Sequence, residues 1–298
     1  MRPLIAVDWG TSSLRGALLD SDGQVLDEVS APAGILTVAP GQFATVFRAH
    51  FTHWERTPGV FYLISGMAGS RQGWQEAPYC SCPAGFADIA SQLLWIEPGR
   101  IALVPGLSCE EGGVPDVMRG EETQVFGALD LLGLDDAQLV LPGTHSKWVQ
   151  VRAGRIEQFR TFMTGELYAL LRQHSILART LPPGDGELDA DAFLQGLAHA
   201  RESASLLHAA FSVRTLSLFE RLPAAVLPSY LSGLVIGEEL RAQRLHSGAG
   251  PVVVIGSPAL TARYRLALES QGMRVQTVGS EATWRGLWAI ARQLKEFA

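Results

Sequence analysis

The sequence contains few cysteines and few charged side chains. The only cysteines in 298 residues are Cys80, Cys82 and Cys109, which are too few and odd in number for a disulfide framework. Charged residues make up 18%, and 24 Lys and Arg against 30 Asp and Glu leave a formal net charge of −6. A nucleic-acid-binding protein needs a basic face. We therefore expect no nucleic-acid partner.

Long apolar runs and several familiar catalytic motifs are also absent from the sequence. No apolar run approaches the roughly 20 residues of a membrane span, and the apolar stretch after Met1 is too short for a signal peptide. We therefore expect a cytoplasmic protein with no membrane partner. The sequence contains no Gly-x-x-x-x-Gly-Lys-Ser/Thr loop, no Gly-x-Gly-x-x-Gly, no Gly-x-Ser-x-Gly and no His-Glu-x-x-His, which argues against the enzyme classes that use them.

The hydrophobic patterning predicts an α/β fold. Hydrophobic residues make up 47% of the chain, and its length favours about two domains. Alternating or continuous apolar runs predict strands at residues 4–7, 14–19, 24–29, 60–64, 101–104, 139–141, 148–151, 156–159 and 252–255. Helical periodicity predicts helices at residues 42–54, 123–132, 165–172, 192–207, 230–245, 259–270 and 282–297.

A weak internal repeat divides the chain near its middle. Each half contains a strand, a turn with Gly-Thr, a second strand, a hairpin glycine and a third strand. The two Gly-Thr turns begin at Gly10 and Gly143, 133 residues apart. We interpret this as a duplicated three-strand unit, with domains at residues 1–133 and 134–298. Two unrelated hairpins remain the alternative.

Both Gly-Thr turns have the composition of a phosphate-binding turn. In Asp8-Trp9-Gly10-Thr11-Ser12-Ser13, a strand ends in a carboxylate that is followed by a glycine and three hydroxyls. Exposed N–H groups and hydroxyls suit a phosphate, and the carboxylate suits a hydrated Mg²⁺. The second turn, Gly143-Thr144-His145-Ser146-Lys147, adds a lysine. An ordinary hairpin turn is the alternative for the first of them.

A third glycine turn follows the apolar run at residues 252–255. The segment Gly256-Ser257-Pro258 leads from that strand into a helix. A glycine there lets an adenine ring pack against the backbone. A plain connection between strand and helix explains the same residues.

Taken together, these segments resemble the sugar kinase/Hsp70/actin superfamily, and most closely the 2-dehydro-3-deoxygalactonokinase family. The resemblance covers essentially the whole chain. The phosphate turns are shared across the superfamily, whereas the Arg-Gly-Glu-Glu-Thr-Gln and Gly-Thr-His-Ser-Lys-Trp segments are specific to the family. The matching segments are residues 7–15, 65–74, 118–124, 141–148 and 162–166.

The resemblance implies a fold, a reaction and a set of ligands. The fold would be two actin-like ATPase (ribonuclease H-like) lobes with an ATP cleft between them. The reaction would be ATP- and Mg²⁺-dependent phosphorylation of the C6 hydroxyl of 2-dehydro-3-deoxy-D-galactonate in galactonate breakdown. The carboxylate of Asp8 would orient Mg²⁺ through water. The ATP-binding residues would be Gly10, Thr11, Ser12, Gly143, Thr144, His145, Ser146, Lys147, Gly256 and Ser257.

The catalytic base is expected just before the second phosphate turn. Related carbohydrate kinases place an Asp at the start of a helix after a glycine, whereas this sequence has Gly120-Glu121-Glu122 and differs by about one position. We favour Glu121 as the base and keep Glu122 as the alternative, since a positioned carboxylate accepts the proton of the attacking hydroxyl. Both acids could instead merely lie in the first turn of a helix, where the helix dipole favours them.

The carboxylate of a sugar acid requires a cation. Arg71 lies in a glycine-rich turn after a strand, where its guanidinium could bind a carboxylate in a bidentate manner. Arg119 and Lys147 are the other candidates, and Trp74 could stack on the sugar. Two other functions remain open, namely a kinase for another sugar acid or polyol, and a non-catalytic ATP-binding regulator or scaffold. The oligomeric state is also open, with a homodimer as one outcome.

Overall fold

The computed structural model describes residues 2–56, 59–243 and 250–297. By its contacts the chain divides into two compact units. Unit 1 consists of Met1–Leu139, Val149–Arg160 and Val278–Ala298. Unit 2 consists of Val140–Trp148 and Thr161–Thr277. The predicted boundary at residue 133 coincides with the end of a helix, and as a boundary between functional lobes it stays a prediction.

A six-stranded sheet forms the centre of unit 1. Its strand order is β3-β2-β1-β4-β7-β6. Strand β1 pairs antiparallel with β2 and parallel with β4, and its residues from Leu4 to Val7 are fully buried. The strands are β1 (Leu4–Trp9), β2 (Leu14–Leu19), β3 (Val25–Ala31), β4 (Phe61–Gly66), β6 (Leu94–Glu97) and β7 (Ile101–Leu103).

A second, three-stranded sheet of unit 1 was not predicted from the sequence. Its order is β5-β8-β9, and its strands are β5 (Tyr79–Ser81), β8 (Gly106–Glu111) and β9 (Val114–Met118). Strand β9 is mostly exposed, so it lacks the apolar run on which the sequence prediction relied. Strand β9 leads directly into helix α3 (Glu121–Leu132).

The five-stranded sheet repeats the strand order of the first. Its order is β12-β11-β10-β13-β14. In both sheets the first three strands lie in reverse chain order, and the next strand in the sheet pairs with the first strand of this trio, β1 with β4 and β10 with β13. The strands are β10 (Ala137–Leu141), β11 (Ser146–Arg152), β12 (Arg155–Phe162), β13 (Val252–Ile255) and β14 (Val275–Val278). The expected duplicated three-strand unit is therefore present, as β1–β3 and β10–β12.

Most helices lie close to their predicted positions. The helices are α1 (Phe43–Phe51), α2 (Phe86–Ser91), α3, α4 (Thr164–His174), α5 (Ala190–Glu202), α6 (Leu206–Ala209), α7 (Ser212–Leu218), α8 (Leu227–Gln243), α9 (Pro258–Glu269) and α10 (Glu281–Ala291). The sequence does not predict α2 or α7. The predicted end of α8 at Leu245 lies outside the described residues. In the described parts of the chain, no helix has the length and apolar composition that a membrane span needs.

Three predicted helices are longer than the observed ones. The helix predicted at residues 192–207 ends at Glu202, because Ser203 has an extended backbone and the Ser205 side chain caps a separate short helix. The helix predicted at residues 42–54 gives way to a 3₁₀ turn after Phe51. The last helix ends at Ala291 and is followed by a 3₁₀ turn that includes Phe297.

In unit 1, helices α3 and α10 pack backbone against backbone. A Cβ on Gly127 would lie 1.7 Å from the carbonyl oxygen of Ala282, and one on Gly286 would lie 1.9 Å from that of Thr123. Only glycine therefore permits this approach at either position. The contact fixes α3, whose first turn carries the two candidate bases.

Candidate functional site

In unit 1, Asp8 and the turn after it lie at the carboxyl end of β1. The Asp8 carboxylate forms an ion pair with Arg15, its cross-strand neighbour on β2. The N–H of Gly10 donates to the Ser13 carbonyl at 2.9 Å and closes the turn. The side chains of Thr11 and Ser12 are exposed. The turn thus presents two exposed hydroxyls beside a carboxylate, as the sequence predicts.

Two glycines place the end of β4 and the start of α3 against Asp8. Both have positive φ, 93° at Gly66 and 107° at Gly120. A Cβ on Gly66 would lie 3.3 Å from Asp8 Oδ1, and one on Gly120 would lie 3.2 Å from the Gly66 Cα. The backbone at Gly66 therefore packs closely against the carboxyl end of β1, and the helix that begins at Glu121 starts beside it.

The two glutamates at the start of α3 have different surroundings. Glu121 is partly exposed, and its Oε2 accepts the N–H of Arg119 at 2.9 Å. Glu122 is fully buried, and its Oε2 accepts the N–H of Gly120 at 2.7 Å. Burial, and then the charge of Glu121, raises the pKa of Glu122 to about 8. Glu121 can reach a ligand, whereas Glu122 belongs to the interior.

Arg119 is buried beside the glycine-rich turn that follows β4. Its Nη2 donates to the Ala77 carbonyl at 2.8 Å, and its guanidinium lies 4.4 Å from the centroid of the Tyr79 ring. Its Nε and Nη1 are buried and make no hydrogen bond to any of the described residues. A Cβ on Gly69 would lie 2.9 Å from Nη1. Arg119 thus packs against the buried side of the turn that follows β4 and supports it.

Arg71 and Trp74 border one cavity of about 620 Å³ in unit 1. The Arg71 side chain is 87% exposed, and its Nε lies 3.4 Å from an oxygen of Glu76. Trp74 is half-buried and packs its ring against Trp9 and Phe47. The other lining residues are Val38, Pro40, Gly41, Phe43, Ala44, Gln72 and Gly73. Two of the three predicted substrate residues therefore share a cavity that Arg119 does not line.

In unit 2, the second Gly-Thr turn packs against the first turn of α4. The N–H of Glu166 donates to the Thr144 carbonyl at 3.0 Å, and its carboxylate lies 2.5 Å from His145 Nε2. A Cβ on Gly165 would lie 2.4 Å from the Gly143 carbonyl oxygen, so the contact requires glycine. Thr144 and His145 are exposed, matching the exposed Thr11 and Ser12 of the first turn.

Ser146 and Lys147 differ from the rest of this turn. They are the first residues of β11 and are only 1% and 5% exposed. The Ser146 hydroxyl lies 3.0 Å from the hydroxyl of Tyr264 on α9. The Ser146 side chain therefore turns into the interior of unit 2, which leaves its backbone as the part nearest the turn surface.

A cavity of about 250 Å³ lies beside this turn in unit 2. Its lining combines apolar side chains with Asp185, Arg263 and several hydroxyls, and consists of Gly143, Thr164, Gly165, Tyr168, Asp185, Ser232, Val235, Ile236, Ala259, Leu260, Arg263 and Tyr264. The predicted Gly256 and Ser257 are not part of the lining, but α9, which follows them directly, contributes to it. A Cβ on Gly256 would lie 3.7 Å from the Pro142 carbonyl oxygen, so the two turns are neighbours.

Sequence reasoning missed several residues that hold these turns in place. Arg15 was part of a recognised segment but had no assigned role, although its spacing from Asp8 across a hairpin could have indicated the pair. Thr164 also supports the second turn and lies in the matching segment 162–166, but it had no assigned role. Glu239 and Tyr264 support the turn from distant parts of the chain, and no local signal marks them.

A family model described as 2-keto-3-deoxy-galactonokinase matches residues 8–290 of the chain. The 2-dehydro-3-deoxygalactonokinase of Escherichia coli (strain K12) is 38% identical over 293 residues, which are 96% of this chain and 97% of the relative. This chain belongs to the 2-keto-3-deoxy-galactonokinase family. The resemblance seen in the sequence is confirmed, and with it the expected class of enzyme, a carbohydrate kinase.

Solved structures agree with membership of this kinase family. The crystal structure of a Sinorhizobium meliloti protein, whose proposed activity is that of a 2-dehydro-3-deoxygalactonokinase, has a TM-score of 0.90 and 40% identity, covering 98% of both chains. Component A of the (R)-2-hydroxyglutaryl-CoA dehydratase of Acidaminococcus fermentans, at 13% identity and a TM-score of 0.54 over 97% of this chain and 96% of its own, shares the fold alone. The expected fold class, α/β with two actin-like ATPase lobes, is confirmed.

Proposed function

We propose that the chain transfers the terminal phosphoryl group of ATP to the C6 hydroxyl of 2-dehydro-3-deoxy-D-galactonate, giving the 6-phosphate and ADP. Family membership supports the reaction and its substrate. The observation that carries the mechanism is the position of Gly66 in unit 1. It contacts both the end of β1, which carries Asp8, and the residue before α3, which begins with Glu121. Phosphoryl transfer depends on positioning and on charge neutralisation, and this arrangement supplies groups for both.

The surroundings of Asp8 fit Mg²⁺. The ion typically binds one or two carboxylates together with water and substrate phosphates. A Cβ on Gly66 would lie 3.3 Å from Asp8 Oδ1, so glycine at this position keeps side-chain atoms away from the carboxylate. No cluster of three or more His, Cys, Asp or Glu side chains in the described residues could hold a metal by itself. Asp8 would hold the hydrated ion, which would neutralise phosphate charge.

Glu121 is the proposed general base. The Glu121 carboxylate is at the first position of α3, and it accepts the Arg119 N–H. As a base it accepts the proton of the C6 hydroxyl as the hydroxyl oxygen forms a bond to phosphorus, and ADP leaves with the electrons of the broken P–O bond. Glu122 is the alternative, although its burial makes it the weaker candidate.

The 620 Å³ cavity in unit 1 is the proposed site for the sugar acid. The exposed guanidinium of Arg71 would bind the substrate carboxylate, and the half-buried Trp74 would stack on the carbon chain. Arg119 would contribute by supporting the turn that carries Arg71 and, through its charge, by favouring the substrate anion.

ATP-binding roles are proposed for each turn separately. Gly10, Thr11 and Ser12 would contact phosphate oxygens through N–H groups and hydroxyls, and Gly143, Thr144 and His145 would do so in unit 2. Ser146 would use its backbone N–H, and Lys147, being buried, would act through its charge. Gly256 and Ser257 would position α9, whose residues line the 250 Å³ cavity proposed for adenosine.

We also propose a cytoplasmic location, where ATP is plentiful, and no nucleic-acid partner. A homodimer is the proposed oligomeric state. Cell fractionation tests the location, and light scattering of the purified protein tests the oligomeric state. A monomer at micromolar concentration would contradict the dimer without affecting the proposed chemistry.

The decisive experiment measures ADP release in a coupled assay. ATP and Mg²⁺ are supplied with 2-dehydro-3-deoxy-D-galactonate, with its gluconate epimer, with glycerol, or with no acceptor. We expect release that depends on the galactonate compound, with a weaker signal from the gluconate compound. Release with another acceptor only would indicate a different substrate, and ADP binding without any transfer would support the non-catalytic alternative.

A further inference from the structure

A buried carboxylate in the C-terminal part of α8 binds side chains from three other elements of unit 2. Glu239 is only 2% exposed. Its Oε1 accepts Trp148 Nε1 of β11 at 2.6 Å. Its Oε2 accepts the hydroxyl of Tyr264 on α9 at 2.7 Å and that of Thr164 at the start of α4. Nothing in the proposed reaction uses Glu239, so its burial requires another explanation.

The three donors suit an ionised carboxylate. Indole N–H is only a donor, and both hydroxyls can donate, whereas an ionised carboxylate is only an acceptor. Burial raises the pKa of Glu239, and the bonds from Thr164, Tyr264 and Trp148 oppose that rise. A buried carboxyl with three directed donors is costly to replace, because loss of any partner leaves polar groups unpaired.

Two of these bonds lead directly to the Gly143–Ser146 turn. The first runs through Tyr264, whose hydroxyl also lies 3.0 Å from Ser146 Oγ. The second runs through Thr164, which is followed by Gly165, packed on the Gly143 carbonyl, and by Glu166, whose N–H donates to Thr144. Glu239 is therefore connected to both ends of the turn, through Tyr264 at Ser146 and through Thr164 and the residues after it at Gly143 and Thr144.

We propose that Glu239 is a positioning residue that holds the Gly143–Ser146 turn in the geometry that binds nucleotide phosphates, acting through Tyr264 on one side and Thr164 on the other. The inference rests on the proposed function, since that assigns phosphate binding to the turn. Glu239 itself touches neither substrate nor phosphate. Its effect is on where the turn's N–H groups and hydroxyls lie.

The direction of the hydrogen bonds follows from the same network. Because the Tyr264 hydroxyl donates its hydrogen to Glu239, the Ser146 hydroxyl donates to the Tyr264 oxygen. Ser146 then has no hydroxyl hydrogen left for a phosphate oxygen. Its contribution to nucleotide binding is limited to its backbone N–H, which this bond orients.

Unit 2 contains a matched pair of tyrosines for the test. Tyr264 and Tyr230 are 1% and 3% exposed, and each hydroxyl contacts a serine, Ser146 at 3.0 Å and Ser212 at 2.8 Å. Of the two, Tyr264 alone is bonded to Glu239. Tyr264→Phe and Tyr230→Phe therefore each remove the hydroxyl oxygen of a buried tyrosine, one within the network and one outside it.

The experiment measures ADP affinity by calorimetry, the KM values for ATP and for the sugar acid, and thermal unfolding of each variant. We expect Tyr264→Phe to weaken ADP binding and to raise the KM for ATP about tenfold, with the KM for the sugar acid unchanged. Tyr230→Phe should bind ADP as the wild type does, even where its melting temperature falls equally. Thr164 and Tyr264 also line the 250 Å³ cavity, whereas Glu239 does not. Glu239→Gln should therefore weaken ADP binding in the same direction as Tyr264→Phe.

ADP affinity that is equal in Tyr264→Phe, Glu239→Gln and Tyr230→Phe overturns the proposal and leaves Glu239 a structural role only. A loss of affinity that tracks the melting temperature across all three variants overturns it as well. Wild-type protein that binds ADP but phosphorylates no acceptor contradicts the proposed function alone, and the comparison of ADP affinities still decides the role of Glu239.

Discussion

The N–H of Gly120 donates to Oε2 of Glu122 at 2.7 Å, and the Glu122 side chain has no exposed surface. Its other oxygen lies 3.2 Å from the hydroxyl of Thr123, which in turn contacts Ser65 at 2.8 Å. With a pKa raised to about 8, chiefly by burial, Glu122 is mostly neutral at pH 7 in the folded chain. The Thr123 hydroxyl donates to one oxygen of this carboxyl group and the Gly120 N–H donates to the other, so both oxygens are used.

The raised pKa predicts how Glu122 affects stability as pH changes. The unfolded group titrates near 4.5 and the folded group near 8, so between those values the folded chain binds more protons than the unfolded chain. Its contribution to stability is therefore full below pH 4.5 and is lost as pH rises towards 8. Glu122→Gln mimics the neutral form. We expect the stability of wild type relative to Glu122→Gln to fall across this interval.

Denaturant unfolding of both proteins at several pH values between about 4.5 and about 8.5 measures this difference. Subtracting one protein from the other removes the contributions of all remaining titratable groups. A difference that does not change with pH would show that Glu122 is ionised in the folded chain throughout the interval.

Glu121→Gln is expected to separate chemistry from binding. The variant keeps the size of the side chain and loses the basic carboxylate, so kcat should fall about 10²- to 10⁴-fold. ADP affinity, measured by calorimetry, should be nearly unchanged. Glu122→Gln is the adjacent control and should retain most of the turnover. The reverse result, with full turnover in Glu121→Gln and loss in Glu122→Gln, would move the base by one position.

The two Gly-Thr turns could be predicted because their signals are local. Strand alternation, a glycine and neighbouring hydroxyls are close together in the sequence, and the structure has strands on both sides of each turn. The interior positions of Ser146 and Lys147 could not be predicted in this way. Their residue types suggest an open polar turn, whereas the partner that holds Ser146, Tyr264, lies 118 residues away.

The three-stranded sheet of unit 1 shows a second limit of sequence reasoning. Residues Gly106–Glu111 and Val114–Met118 form strands, but the pattern from 109 to 117 is largely exposed and includes two glutamates and a proline. Pairing between neighbouring strands, and not a hydrophobic period, stabilises this segment. The sequence therefore predicted Glu121 at a helix start without the strand that leads to it.

Asp8→Asn tests the proposed role of the carboxylate at the end of β1. Loss of its charge should lower kcat about 10²- to 10³-fold, as for other groups that stabilise charge in a transition state. The ion pair with Arg15 is partly exposed, so its loss should change the melting temperature little. Asp27→Asn, on β3 of the same sheet and bonded to Trp54 Nε1 at 2.9 Å, is the control. Equal kcat values for both variants would contradict a catalytic role for Asp8.

Arg71→Ala tests the proposed site of the sugar acid. Because the side chain is 87% exposed, its removal should leave stability unchanged. Loss of a bidentate partner for the substrate carboxylate should raise the KM for the sugar acid about 10- to 100-fold, with the KM for ATP unaffected. Arg71→Lys keeps the charge but not the planar guanidinium, so its KM for the sugar acid should lie between those of the wild type and Arg71→Ala.

The matched control for Arg71 is Arg100→Ala. Arg100 is also a surface arginine of unit 1 and is ion-paired with Glu55 and Glu97, but it does not line the cavity. Steady-state kinetics with the sugar acid varied at saturating ATP measure the effect. Equal KM values for Arg71→Ala and Arg100→Ala would exclude Arg71 as the carboxylate-binding residue.

Ala259→Trp tests whether the 250 Å³ cavity of unit 2 holds the nucleoside. Ala259 is exposed at the start of α9 and lines the cavity, so an indole there would occupy space that a bound adenosine needs. We expect weaker ADP binding by about tenfold or more, with no change in the KM for the sugar acid. Ala262→Trp places the same side chain at an exposed position one turn along the helix, outside the lining, and should bind ADP normally. Calorimetry with ADP compares the two, and wild-type affinity in Ala259→Trp would exclude this cavity as the nucleoside site.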